Sequence, residues 1–217
     1  MPSLAGRNLQ SISPQQLNAI SRKAFEESKS RYTLIESGPL FDRAQCLMRD
    51  LAKHAGTPPQ GTEWELVVAE DSKANASSLA GGKLILYSGV ESIAPGRDDM
   101  AFVIATLVSQ VMLEQSKARV ERQLARQSAL VLLGNLGQKT PPELPPENDA
   151  PALLQSDRAA IELMARAGYD PNASIRTIER MQNPASTSAT DTSQERLMQA
   201  RTLAPNATRG SNAPACD

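Results

Sequence analysis

A single histidine, His54, occurs among the 217 residues of this chain. That scarcity excludes a metal centre built on several imidazoles, and it leaves Ser77-Ser78 without the base that a nucleophilic serine requires. Aromatic residues make up only 3% of the chain, so a core must rest on Leu, Ile, Val, Met and Ala, a composition that favours helices over an all-β sandwich. An excess of charge is also lacking. Lys and Arg number 23 against 24 Asp and Glu, and the basic residues are dispersed, which argues against a nucleic-acid partner. No apolar run reaches the roughly 18 to 20 residues of a membrane-spanning helix. The stretch Met1 to Arg7 carries neither the charged nor the apolar region of a signal peptide, and removal of a signal upstream of this numbering stays open. Cysteine is limited to Cys46 and Cys216, which would close one long loop in an oxidising compartment and stay reduced in cytosol; spacing alone decides neither.

What is present is a set of helical patterns around a short β-rich stretch. Ser13-Pro14 is a helix start, and Leu17, Ile20 and Phe25 give the segment 13–30 one apolar face. Leu40, Ala44, Leu47, Met48 and Leu51 recur at helical spacing until Gly56-Thr57-Pro58-Pro59. Trp64, Leu66 and Val68 alternate with Glu65 and Val67 as in a half-buried strand, and Lys83 to Tyr87 is β-rich behind a Gly81-Gly82 turn. Asp98 and Asp99 suit the positive end of a long helix that the pattern carries past Arg126. Its residues Met100, Val103, Ile104, Leu107, Val108 and Val111 form one apolar stripe. Lys117, Arg119, Glu121, Arg122 and Arg126 read as its solvated face. The prolines of 138–151 define a surface loop. Ala152 to Ala167 reads as a helix stopped by Gly168-Tyr169-Asp170-Pro171, followed by a short helix to Met181. The Ser-, Thr- and Asn-rich remainder, apart from a helical Gln194 to Thr202, is expected to fray. The chain thus divides into a domain, 1–183, and a low-complexity, partly helical tail, 184–217.

The run Asn75-Ala-Ser-Ser-Leu-Ala-Gly-Gly-Lys-Leu-Ile-Leu-Tyr-Ser-Gly-Val90 resembles the strand pair that precedes the HExxH helix of HtpX/LoiP-type (Oma-type) zinc metallopeptidases, relatives of the CAAX prenyl endopeptidases. Asp99 through Arg119 follows at the spacing of that helix. The patch Ser156 to Pro171, which includes Glu162-Leu-Met-Ala-Arg-Ala-Gly-Tyr-Asp-Pro171, resembles the family's "EAD…LELMARAGYDP" helix. The resemblance implies an α+β, mainly helical fold of zincin type, with a small sheet packed beside the long helix. It also implies a bacterial periplasmic or cell-envelope setting and a role in protein quality control.

In that family two histidines one helical turn apart hold zinc and the glutamate between them activates water. The corresponding residues here are Thr106, Leu107 and Gln110. The third ligand, a glutamate four residues before an aspartate, falls on Leu153 before Asp157. Gln115 stands where a histidine often follows the motif, and Asp191 to Arg196 resembles an "HP…ER" segment without its His-Pro. Threonine and glutamine are poor zinc ligands and leucine is none, so hydrolysis by the family's route is not expected and no cofactor is called for.

The remaining motifs have plain readings. His54 closes a helix, Asp98 and Asp99 are helix-start charges, and Gly81-Gly82 is a turn without a phosphate-cradling helix behind it. Asn75, Asn172 and Asn206 begin Asn-X-Ser/Thr triplets, relevant only in a glycosylating pathway. The expected function is that of a catalytically inactive, peptidase-like protein that binds extended or unfolded polypeptide, or a protein partner. The binding element is expected to be an edge strand at Lys83, Leu84, Ile85, Leu86 and Tyr87. The alternatives are residual or non-standard proteolysis and a structural assembly subunit.

Overall fold

The computed structural model describes residues 12–59, 63–124, 150–182, 191–211, 214 and 216. Helix α1 (Pro14–Arg31) opens with a reciprocal cap: Ser13 Oγ accepts from the Gln16 N–H at 3.2 Å while Gln16 Oε1 accepts from the Ser13 N–H at 3.0 Å. After strand β1 (Leu34–Ile35), helix α2 (Pro39–Ala55) begins on proline, whose missing N–H costs nothing in the first turn, and stops at Gly56. His54 lies in its last turn, half-buried, as its sequence position suggests.

Strands β2 (Glu65–Ala69), β3 (Ala76–Leu79) and β4 (Lys83–Tyr87) complete a mixed sheet in the order β1-β2-β4-β3. β4 runs parallel to β2 and antiparallel to β3. Gly81 and Gly82, at φ +78° and +77°, turn the chain between β3 and β4 in the left-handed region that glycine enters freely. The period-2 alternation of the strands then sorts side chains to two faces. Leu66, Val68, Leu84 and Leu86 enter the main core with α2 and the helices beyond, whereas Ala69, Ile85 and Tyr87 meet Phe25 of α1.

This topology corrects the expectation that Lys83 to Tyr87 is an edge strand. β4 has a hydrogen-bonded neighbour on each side and a helix layer on each face, so its main-chain groups are already spent. The edge beside the long helix is β3.

A second correction concerns that helix. α3 (Arg97–Met112) ends well before Arg126: Glu114 adopts φ +52°, unusual for a residue with a Cβ, and helical structure resumes as α4 over 115–124. The bend lets Gln115 Nε2 donate to the Ala152 carbonyl at 2.7 Å and Ser116 Oγ donate to the Ser78 carbonyl at 3.2 Å, contacts that a straight helix would aim elsewhere. Residues beyond 124, Arg126 included, and most of the proline-rich stretch, 138–149, lie outside the described residues. Ala150 and Pro151, assigned by sequence to that loop, form the first turn of the next helix, where proline is tolerated.

Helices α5 (Ala150–Arg166) and α6 (Ala173–Met181) pack on α3, joined through Gly168 at φ +90°. Helix α7 (Asp191–Leu203) lies on α5 and α6, with Ala200 and Ala204 buried. Over 191–211 the chain therefore belongs to the packed structure and does not fray. Gly210 N–H donates to the Ala165 carbonyl at 2.9 Å, and a disulfide joins Cys216 to Cys46 of α2. No helix among the described residues is long and apolar enough to cross a membrane.

At the start of α3, Asp98 pairs with Arg97, while Asp99 is buried and accepts from Arg176 and Arg180 at 3.3 and 2.7 Å. Beyond favouring the helix dipole, Asp99 therefore ties α3 to α6. Beneath this contact Tyr169, fully buried, donates to Asp50 of α2 at 2.8 Å. Burial and the neighbouring carboxylate both push its phenol above the ordinary range.

Candidate functional site

A cleft of about 230 Å³ opens between the start of β3 and the middle of α3. Thr106, Leu107 and Gln110 line it from α3, at the spacing that puts i and i+4 on one helix face. Asn75 and Ala76 form the β3 side, and Met181 and Arg196 come in from α6 and α7. Three of the positions singled out by sequence are thus brought together. Asp157 stands behind them through Arg196, and Leu153 is half-buried on α5, outside the cleft lining.

Each α3 residue has a different local commitment. Leu107 is 3% exposed and belongs to the main core, as the apolar stripe predicts. Thr106 turns its hydroxyl back to the Phe102 carbonyl at 2.9 Å, a bond within its own helix. Gln110 Oε1 accepts from the Ser78 hydroxyl at 2.7 Å, and its amide N–H groups have no acceptor among the described residues. These residues do not fit zinc. An alcohol bonded to its helix, an alkyl chain and a neutral amide supply no strong ligand, and among the described residues no group of three or more His, Cys, Asp or Glu gathers to hold a metal ion.

The charge that sequence reasoning missed is Arg196. Its Nε and Nη2 donate to the two oxygens of Asp157 at 2.6 and 3.1 Å, a fork-on-fork pair with Asp157 1% and Arg196 17% exposed. Burial raises the Asp157 carboxyl above the ordinary carboxylate range, opposed by the hydrogen bonds and charge of Arg196. Arg196 Nη1 approaches the Met181 sulfur at 3.9 Å, and both residues line the cleft. The Glu195-Arg196 pair quoted above was the available signal, but its partner lies 39 residues earlier and nothing local pairs them.

The strand edge beside the cleft is partly closed. The Tyr87 N–H donates to the Asn75 carbonyl at 3.2 Å, and the register continues Ser77↔Ile85 and Leu79↔Lys83. Alternation then turns the main-chain groups of Ala76 and Ser78 away from β4. The Ser78 carbonyl takes the Ser116 hydroxyl, and Ser78 is buried under that contact. At the other end, Asn75 is exposed and Ala76 half-exposed. Asn75 Oδ1 accepts the Ala76 N–H at 2.8 Å, leaving the Ala76 carbonyl facing outward at the cleft mouth. No protein-family model and no curated protein matches the chain.

Proposed function

We propose that this chain is a peptidase-like protein of zincin type, related to the HtpX/LoiP group, that binds extended polypeptide without hydrolysing it. The observation that carries the reading is the cleft itself: an open strand end, Asn75-Ala76, runs along a groove whose floor is built by Thr106, Leu107 and Gln110. A strand end with an unspent carbonyl accepts another chain by main-chain pairing, and that needs no metal. Hydrolysis would need an activated water. Leu107 offers it no proton acceptor, and Asp157 is fully engaged by Arg196. The disulfide supports an oxidising compartment such as the periplasm or cell envelope.

The test is binding of a reduced, permanently unfolded protein to the wild-type chain and to Ala76→Pro. The proline ring replaces an N–H that points away from β4, so the β3–β4 ladder survives while the ring stands where an added strand would lie. Wild-type binding that the proline abolishes at unchanged thermal stability supports the reading. Absence of binding by the wild type, or equal binding by both, sinks it. A defined oligomer at low concentration that binds no unfolded chain would favour an assembly subunit instead.

A further inference from the structure

We infer that the cleft selects an acidic side chain on the polypeptide it receives; this rests on the peptide-binding reading above and adds a specificity to it. The register fixes which side chain arrives. Ala76 pairs with Leu86 and Ser78 with Leu84, so both project to the α3 face of the sheet. A residue added beside Ala76 on a further strand shares that face and directs its side chain into the cleft, toward Gln110 and Arg196.

The unpaired side-chain nitrogens waiting there are donors. The side-chain oxygens of the amide and carboxylate groups at the cleft each already accept a hydrogen bond inside the protein: Asn75 Oδ1 from the Ala76 N–H, Gln110 Oε1 from the Ser78 hydroxyl, and both Asp157 oxygens from Arg196. Among the described residues, the amide nitrogens of Asn75 and Gln110 have no acceptor, and Arg196 Nη1 has only the Met181 sulfur. Among the described residues that line the cleft, none is a carboxylate. A side chain that offers only acceptors satisfies these donors, and an ionised one makes stronger hydrogen bonds than a neutral amide. A lysine or arginine would meet donor against donor.

The test uses heptapeptides alternating Thr and Val, acetylated and amidated at their ends, with Glu, Gln or Lys at the centre, titrated by fluorescence anisotropy. The expected order is Glu over Gln by about tenfold, with Lys weakest. Gln110→Glu keeps the oxygen that accepts from Ser78 and exchanges the amide N–H groups for a second oxygen. It should weaken the Glu peptide and strengthen the Lys peptide, a reversal that loss of packing would not produce. The wild-type series stands by itself if that variant is unstable. Equal binding of the Glu and Gln peptides overturns the acid preference and leaves polypeptide binding intact. Tighter binding of peptides with a free terminal carboxylate, whatever the central residue, also overturns it, because the occupant is then a chain end. Failure of all the peptides together with the unfolded protein overturns both readings.

Discussion

The Ser78 hydroxyl donates to Gln110 Oε1 across 2.7 Å, joining the edge strand to α3 beside the cleft. Because Ser78 is 1% exposed, removing its acceptor strands a buried hydroxyl. Gln110→Leu should lower stability by about 1 to 3 kcal/mol, and Gln110→Glu, which keeps the acceptor, by less. In a double-mutant cycle with Ser78→Ala, the coupling should be about 1 kcal/mol by urea denaturation. Full additivity would mean that the bond contributes nothing.

Leu107 occupies a place built for an alkyl chain. Leu107→Ala should cost about 2 to 5 kcal/mol through the cavity it leaves. Leu107→Glu desolvates a carboxylate at the same buried position and should also destabilise the fold. Chemical denaturation measures both, and a peptidase assay of the glutamate variant with added zinc should stay blank because Thr106 and Gln110 remain poor ligands. Activity in that variant would show that the cleft can hold a metal ion that its donors do not suggest.

The Cys46–Cys216 bond closes a loop across a sequence separation of 170. Cys46→Ser, or reduction of the wild type, should lower stability by about 2 to 5 kcal/mol. Limited proteolysis should then cut first after Leu203, where Gly210 and the disulfide otherwise hold the chain against α5 and α2. A melting temperature indifferent to reductant would refute this.

Asp157 and Asp170 drive the pH dependence of stability in opposite directions. Burial lifts the Asp157 carboxyl above its unfolded value of about 4, so its contribution is full below that pH and is lost as pH rises through the raised folded value. At Asp170 burial also raises the carboxyl, but hydrogen bonds from Asn172 and the charge and hydrogen bond of Arg176 overcome it and hold it low. Its contribution is present above about pH 4 and lost as pH falls through the depressed folded value. Melting temperatures across that range should show Asp157→Asn gaining on wild type as pH rises, and Asp170→Asn gaining as pH falls. Parallel curves for either variant would show that its carboxyl is unshifted.

The elements that local chemistry specifies were legible in the sequence. Ser13-Pro14 spells a helix start, Gly168 before Pro171 spells a helix stop, and the α3 stripe placed Leu107 in the core. Tertiary arrangement was less so. Nothing near Glu114 announces a bend, since neither glycine nor proline is present; the bend is held by contacts of Gln115 and Ser116 with distant segments. The strand order did leave a sign that the family frame obscured: Leu84 to Tyr87 is continuously apolar, as suits a strand covered on both faces, whereas Ala76-Ser77-Ser78 is polar, as suits an edge. The packing of α7 on α5 and α6 was hidden by its composition, because its buried residue Ala200 offers little apolar area to mark the contact face.

The placement of β4 also bears on how this chain behaves in a crowded mixture. The β-rich segment Lys83 to Tyr87 is enclosed between β2 and β3, and the two edge strands of the sheet, β1 and β3, are two and four residues long, β3 bearing two serines. A short polar edge, half closed by Ser116, is a poor template for stacking copies of the chain on one another. The strand order that encloses β4 thus exposes only short edges, one of which has an open end beside the cleft.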